Sequence, residues 1–112
     1  MNRYLSLLNL TVVAAGAIGA YELVGFNDQA IAAEDAAVKG IALNPAAIGE
    51  PTATMAAGTI TIKADGVINA GEKIISSATK GRVKTAGVDP ANAFAVALTS
   101  AADGELVEIL IR

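Results

Sequence analysis

Apolar and polar residues alternate most clearly in the second half of the chain. In Thr59–Lys63, Ile60 and Ile62 are flanked by Thr59, Thr61 and Lys63, a period of two that predicts a half-buried strand. Glu72–Ser76, Arg82–Lys84 and Phe94–Leu98 read as further short strands, set off by the turn signals around Ile68, at Lys80-Gly81 and in "TAGVDPAN". In a last strand, Leu106–Ile111, Val107, Ile109 and Ile111 face one way while Leu106, Glu108 and Leu110 face the other. A strand apolar on both faces fits a core on one side and a neighbouring subunit on the other.

The first half repeats this pattern. "TVVAAGAIGAYELVGF", Thr11 to Phe26, laid over "TIKADGVINAGEKIIS", Thr61 to Ser76, matches at six of sixteen positions with an offset of 50. Further on the offset is 55: Ala42, Leu43, Ala46, Ala47, Gly49 and Glu50 recur as Ala97, Leu98, Ala101, Ala102, Gly104 and Glu105. Matched Gly, Glu, Ile, Leu and Thr in one order weigh more than matched Ala in an Ala-rich chain. The expectation is one domain over 1–112, built from similar halves at about 10–55 and 60–110, with 1–9 either an N-terminal arm or an ordinary first strand whose apolar residues lie in the core. The five extra residues of the second half fall between Ser77 and Ala93, around "TAGVDPAN". By correspondence Leu8, Leu10 and Val12 take the parts of Gly58, Ile60 and Ile62, and Val13 replaces Lys63. Asp28 to Gly40 has helix-forming Ala and a glycine that could end a helix, but its counterpart is strand and loop; it reads as loop with a short helical turn.

These elements predict a mainly β fold, a small β-barrel or β-sandwich of short strands with little helix. The 54% hydrophobic content is largely Ala, and the aromatics are only Tyr4, Tyr21, Phe26 and Phe94, so the core is thin. A net charge of −3 without a dense basic run argues against a nucleic-acid partner, since phosphate binding needs clustered Lys and Arg. Lys80-Gly81-Arg82-Val83-Lys84 reads as an exposed hairpin. The chain has no Cys and no His, which removes disulfides, the commonest zinc ligands and the commonest bases and nucleophiles together. Ser76, Ser77 and Ser100 lack a nucleophile motif, and Asp65, Asp89 and Asp103 precede Gly or Pro as turn residues do. An enzyme would have to rest on carboxylates such as Glu22 and Glu72, at equivalent repeat positions; no catalytic residue, metal or cofactor is expected.

The uncharged run from Tyr4 to Tyr21 raises the alternatives of anchor and signal. It falls short of the about 20 apolar residues of a spanning helix and contains Ser6, Asn9, Thr11, Gly16 and Gly19, so no membrane partner is expected. A signal is a stronger competitor, since Arg3 is basic and Ala15-Gly16-Ala17 has the small-x-small cleavage pattern. A small exported β-protein of a bacterial envelope, with 1–17 or 1–20 removed, is therefore the alternative reading. Yet cleavage there would discard the matched opening strand of the first half.

Three stretches carry a resemblance: "LTVVAAGAIGAYELVGF", "VKGIALNPAAIGEPTATMAAGTITIKADGVINAGEKIISSATKGRVKTAG" and "AVALTSAADGELVEILIR". In their order the chain resembles the capsid decoration, or cement, proteins of tailed bacteriophages, from about Leu8 onward. Phe94-Ala95-Val96-Ala97 departs from the pattern of Lys39-Gly40-Ile41-Ala42, where the family has a glycine. The resemblance implies a virion structural protein, made in the host cytoplasm, that sits on the outer surface of the head. Its partner would be the major capsid protein, whose subunits it bridges as a homotrimer over three-fold and quasi-three-fold axes, stabilising the shell. Tyr4, Leu7 and Leu8 of the N-terminal segment and Leu106 and Leu110 of the last strand are the candidate capsid or subunit contacts.

Overall fold

The computed structural model describes residues 4–87 and 90–112, so Asp89 lies outside the described residues. Eight strands form in chain order: β1 (Tyr4–Val13), β2 (Leu23–Gly25), β3 (Val38–Ala42), β4 (Pro51–Ala64), β5 (Lys73–Ser76), β6 (Arg82–Thr85), β7 (Ala95–Ala97) and β8 (Leu106–Ile111). No helix occurs among the described residues. Between β2 and β3 the Ala-rich segment is turn and bend, with φ of +60° at Asp28 and +54° at Asp35. Those angles lie in the left-handed region and interrupt any right-handed helix there, so the short helical turn does not form.

All eight strands belong to one sheet, organised by β4. Along one edge of this 14-residue strand lie β3, opposite Thr54 and Met55, and β8, opposite Gly58 to Lys63. Along its other edge lie β1, from Pro51 to Ile60, and β6, opposite Lys63 and Ala64. The C-terminal part of β4 closes with β6, β5, β7 and β8 into a five-stranded barrel. Its N-terminal part carries β1 and β3, with β2 beyond β3. This is the mainly β, barrel-type architecture that the alternation predicted.

The same backbone bonds recur in both parts at the sequence offsets of 50 and 55. Ile18 and Ala46 exchange N–H···O bonds of 2.9 Å, as do Ile68 and Ala101. Ala14 donates to Glu50 O and Ala64 to Glu105 O, both at 2.9 Å; Ala42 donates to Glu22 O and Ala97 to Glu72 O, at 3.0 and 2.9 Å. The pairs Leu10↔Thr54 and Val12↔Thr52 correspond to Ile60↔Ile109 and Ile62↔Val107. The shift from 50 to 55 comes early: Ala15 donates to Asp28 O and Asp65 to Val83 O, and the bridge Val24↔Ala30 corresponds to Ile74↔Thr85. The extra residues of the second half therefore sit in the turn from Ser77 to Arg82, not around "TAGVDPAN". They lengthen the exposed β5–β6 hairpin, whose turn residues Ala78 to Lys80 are exposed, so the longer turn leaves the core untouched.

Four turns share one device. Glu22, Glu50, Glu72 and Glu105 each take a backbone N–H from the residue three before, Gly19, Ala47, Asn69 and Ala102, at 2.6 to 2.9 Å. Each of these glutamates also donates its own N–H to that residue's carbonyl, at 2.9 to 3.3 Å. The residue before the glutamate has positive φ: Gly49, Gly71 and Gly104 at +80° to +89°, and Tyr21 at +63°. Glycine takes this conformation at no steric cost. Tyr21 takes it against its preference, and its ring packs on the main core cluster instead.

The core divides accordingly. A small cluster, Val12, Ala14, Ile18, Val24, Ala42 and Ala46, fills the first half. Their counterparts at the two offsets, Ile62, Ala64, Ile68, Ile74, Ala97 and Ala101, lie in the larger cluster inside the barrel. The opposite face of the first half is also buried: Leu23, Ile41 and Met55, aligned across β2, β3 and β4, join the larger cluster with Ile31. In the second half the corresponding row reads Lys73, Val96 and Leu110, and it is exposed or half-buried. Each half thus has one enclosed face, and only the first has its other face covered.

Polar contacts fasten the two parts. The buried Ser76 hydroxyl accepts from Ala36 N–H and donates to Ala33 O, both at 2.8 Å. Asp35 accepts from the N–H groups of Ala91 and Asn92 at 2.9 Å. Lys84 donates to Glu34 at 2.6 Å. That hydrogen bond raises the Lys84 pKa above its ordinary value against the opposing effect of burial, and the charges of Glu34 and Asp65 add to the rise. The stability linked to the Lys84 proton is therefore fully present below the ordinary lysine pKa and is lost as pH rises through the raised one.

Two substitutions separate these contributions. Ser76→Ala orphans two backbone groups that only partly regain water, and a denaturant titration should show a loss of about 1–2 kcal/mol. Thr54 is fully buried, its hydroxyl has no partner, and its counterpart is Ile109. Thr54→Val should leave stability unchanged or raise it by about 1 kcal/mol in the same titration; a loss above that size would contradict the account of its hydroxyl.

Candidate interaction surface

The chemistry-bearing side chains are occupied in turns. Glu22 and Glu72, the carboxylates on which an enzyme would have to rest, each close the turn before their own short strand. Asp65 accepts from the Ser77 hydroxyl, and Asp103 accepts from Gly66 N–H at 2.8 Å with Arg82 at 3.7 Å. Ser100 accepts from Ala70 N–H at 3.0 Å. Among the described residues no group of three or more acidic side chains is placed to hold a metal ion, and no helix is long and apolar enough to cross a membrane. What the fold leaves open is apolar surface.

One such surface follows β1. Its ten residues carry no charge, and along most of the strand the side chains face outward. Tyr4 is 50% exposed, Leu5 66%, Leu7 75% and Leu8 51%, while only Val12 is fully buried. Leu10 is half-buried, so of the three residues matched to Gly58, Ile60 and Ile62, Val12 alone is fully enclosed. The register of β1 on β4 is interrupted at Leu7 and Leu8. At that point Gly58, with φ of +133°, lies under the β1 backbone: a Cβ there would come within 2.2 Å of Leu5 O. Glycine is what lets β1 lie flat across the middle of β4.

Pairing extends this surface onto the barrel. Leu5 is opposite Thr59, Thr59 is opposite Leu110, and Leu110 is opposite Val96, so these residues share the outer face of β1, β4, β8 and β7. Beside them Tyr4, Leu5, Thr59 and Glu108 line a shallow groove of about 170 Å³. Of the residues marked in the sequence, Tyr4, Leu7 and Leu8 lie together on β1 and Leu110 lies in the row that Leu5 extends. Leu106, 36% exposed, sits at the far end of β8 opposite Lys63, away from the others. Sequence reasoning missed Leu5, whose position depends on its register with Thr59. It also missed Phe26, Ile48 and Val67, exposed singly at turns.

Comparison with known proteins places the architecture. No protein-family model and no curated protein matches the sequence. Among solved structures, the chain superposes on the N base of the head fiber gp8.5 of bacteriophage phi29 with a TM-score of 0.68. The match covers 100% of this chain and 95% of that one at 21% sequence identity. The two share a fold over their whole lengths.

Proposed function

We propose that this protein is a virion structural component that binds the outer surface of a phage head and stabilises the shell by bridging neighbouring capsid subunits. The observation that carries the reading is the end-to-end likeness to a head-fiber base, reached independently of the sequence resemblance to capsid decoration proteins. The exposed apolar surface of β1 and the Leu5–Thr59–Leu110 row supply contacts of the kind a capsid would cover. In this reading Tyr4, Leu7, Leu8 and Leu110 meet neighbouring chains, and Leu106 extends the contact along β8. A standard interface buries about 1,600 Å², and engaging two capsid subunits at once raises the apparent affinity further through effective concentration.

The exported alternative fits the fold less well. Removal of 1–17 or 1–20 would take away β1 together with Val12, Ala14 and, for the longer cut, Ile18, half of the small core cluster.

Purified protein mixed with undecorated, expanded heads should sediment with them, and the heads should survive heating to a higher temperature than heads alone. Free protein left in the supernatant, with unchanged head survival, would reject the proposal.

A further inference from the structure

Lys80-Gly81-Arg82-Val83-Lys84 is the nearest thing to a basic run in the sequence, and the fold parts its charges. Lys84 turns to Glu34, and Arg82 has Asp103 at 3.7 Å. Lys80 has no acidic partner among the described residues, and neither has Lys63, which the parallel pairing of β4 and β6 sets opposite Arg82. Both lysines belong to the second half alone. Lys63 stands where the first half has Val13, and Lys80 and Gly81 lie in the stretch by which the β5–β6 turn exceeds its counterpart. That longer turn reaches the first half: a Cβ at Gly81 would lie 3.8 Å from Glu22 Cγ and 4.0 Å from Tyr21 O. Where the two meet lies a hollow of about 240 Å³ lined by Ala20, Tyr21, Ile62, Lys63, Lys80 and Gly81.

We propose that this hollow takes a carboxylate side chain, Glu or Asp, from a partner protein. Ile62 is buried and Tyr21 half-buried, which gives an incoming side chain's methylenes apolar surface to lie on, while both lysines are exposed and carry their charge toward water. The volume is below the about 300–1,000 Å³ of pockets that enclose a whole small ligand, and it suits one side chain. The neighbouring carboxylate of the chain itself, Glu22, is engaged by Gly19 N–H at 2.6 Å and forms no ion pair with either lysine. Leu106, 36% exposed, lies opposite Lys63 on β8, so the cations border an apolar side chain, as a protein contact requires and a free-ion site does not. A nucleic-acid backbone fits less well, because its repeated phosphates need a run of cations, whereas two line this hollow on a chain of net charge −3. A single carboxylate needs no more than these two.

A tetraglutamate peptide capped at both ends, titrated at low salt into isotope-labelled protein, should shift the amide NMR signals of Lys63, Lys80 and Gly81. The tetraglutamine peptide should leave them in place. Lys63→Val, which restores the residue of the first half, and Lys80→Ala should each weaken binding about three- to fivefold, as loss of one exposed ion pair does, with thermal midpoints close to wild type. Lys73→Ala, which removes an unpaired cation of β5 outside the hollow, should bind as wild type does. No shift, shifts scattered over the surface, binding indifferent to both lysine substitutions, an equal loss in Lys73→Ala, or displacement of the peptide by inorganic phosphate at equal concentration would each overturn the assignment. The titration uses no heads, so its failure and failure of the capsid reading are separate results.

Discussion

Strand β4 ties a first unit too small to close a core of its own to a second that closes into the barrel. The first unit's cluster is six residues, three of them alanine, and so little apolar area cannot offset the conformational entropy of ordering about fifty residues. Running one strand through both units lets the first unit bury a second row, Leu23, Ile41 and Met55, against the barrel. The cost of this sharing is visible at Gly40 and Gly58. A Cβ at Gly40 would lie 2.6 Å from Met55 O, and one at Gly58 would meet the β1 backbone. The neighbours of β4 come closer than side chains permit, so glycine is required on both sides of the crossing.

Sharing β4 also explains how the two halves have diverged. Where the first half carries Tyr21 and Leu23, facing the interior, the second carries Gly71 and Lys73, facing out. Tyr21 holds a left-handed backbone conformation that its three counterparts leave to glycine, and its packing on the main cluster offsets that strain. In the second half the same face needs no apolar bulk, and there the turn reverts to glycine. The half that is covered grew large side chains, and the half that is open kept Val96 and Leu110 half-buried and Leu98 exposed. On that open face and along β1 lies the surface available for other chains.

Much of the architecture was legible because the physical signals were local. The alternation in Thr59–Lys63 and Leu106–Ile111 marks strands whose inner positions, Ile60, Ile62, Val107, Ile109 and Ile111, are all buried. The glutamates at 22, 50, 72 and 105 stood out only as matched repeat positions; the structure shows that each closes a turn by taking the N–H three residues back. What the sequence hid is what depends on pairing between distant segments. The extra residues of the second half could be placed only once Asp28 and Val83 were seen to accept equivalent bonds. Leu5 could be joined to Leu110 only through Thr59. Ser76 sits in a strand, and its hydroxyl reaches 43 residues back to Ala33, a contact no local pattern announces.

Whether this β fold is a surface component of a phage head, as proposed, is decided by cryo-electron microscopy of heads incubated with the protein. Added density should appear on the outside of the shell at junctions between capsid subunits, shaped as this sheet and barrel, with β1 or the Leu110 face turned to a neighbouring chain. Shells without added density, or density confined to the interior, would rule that role out.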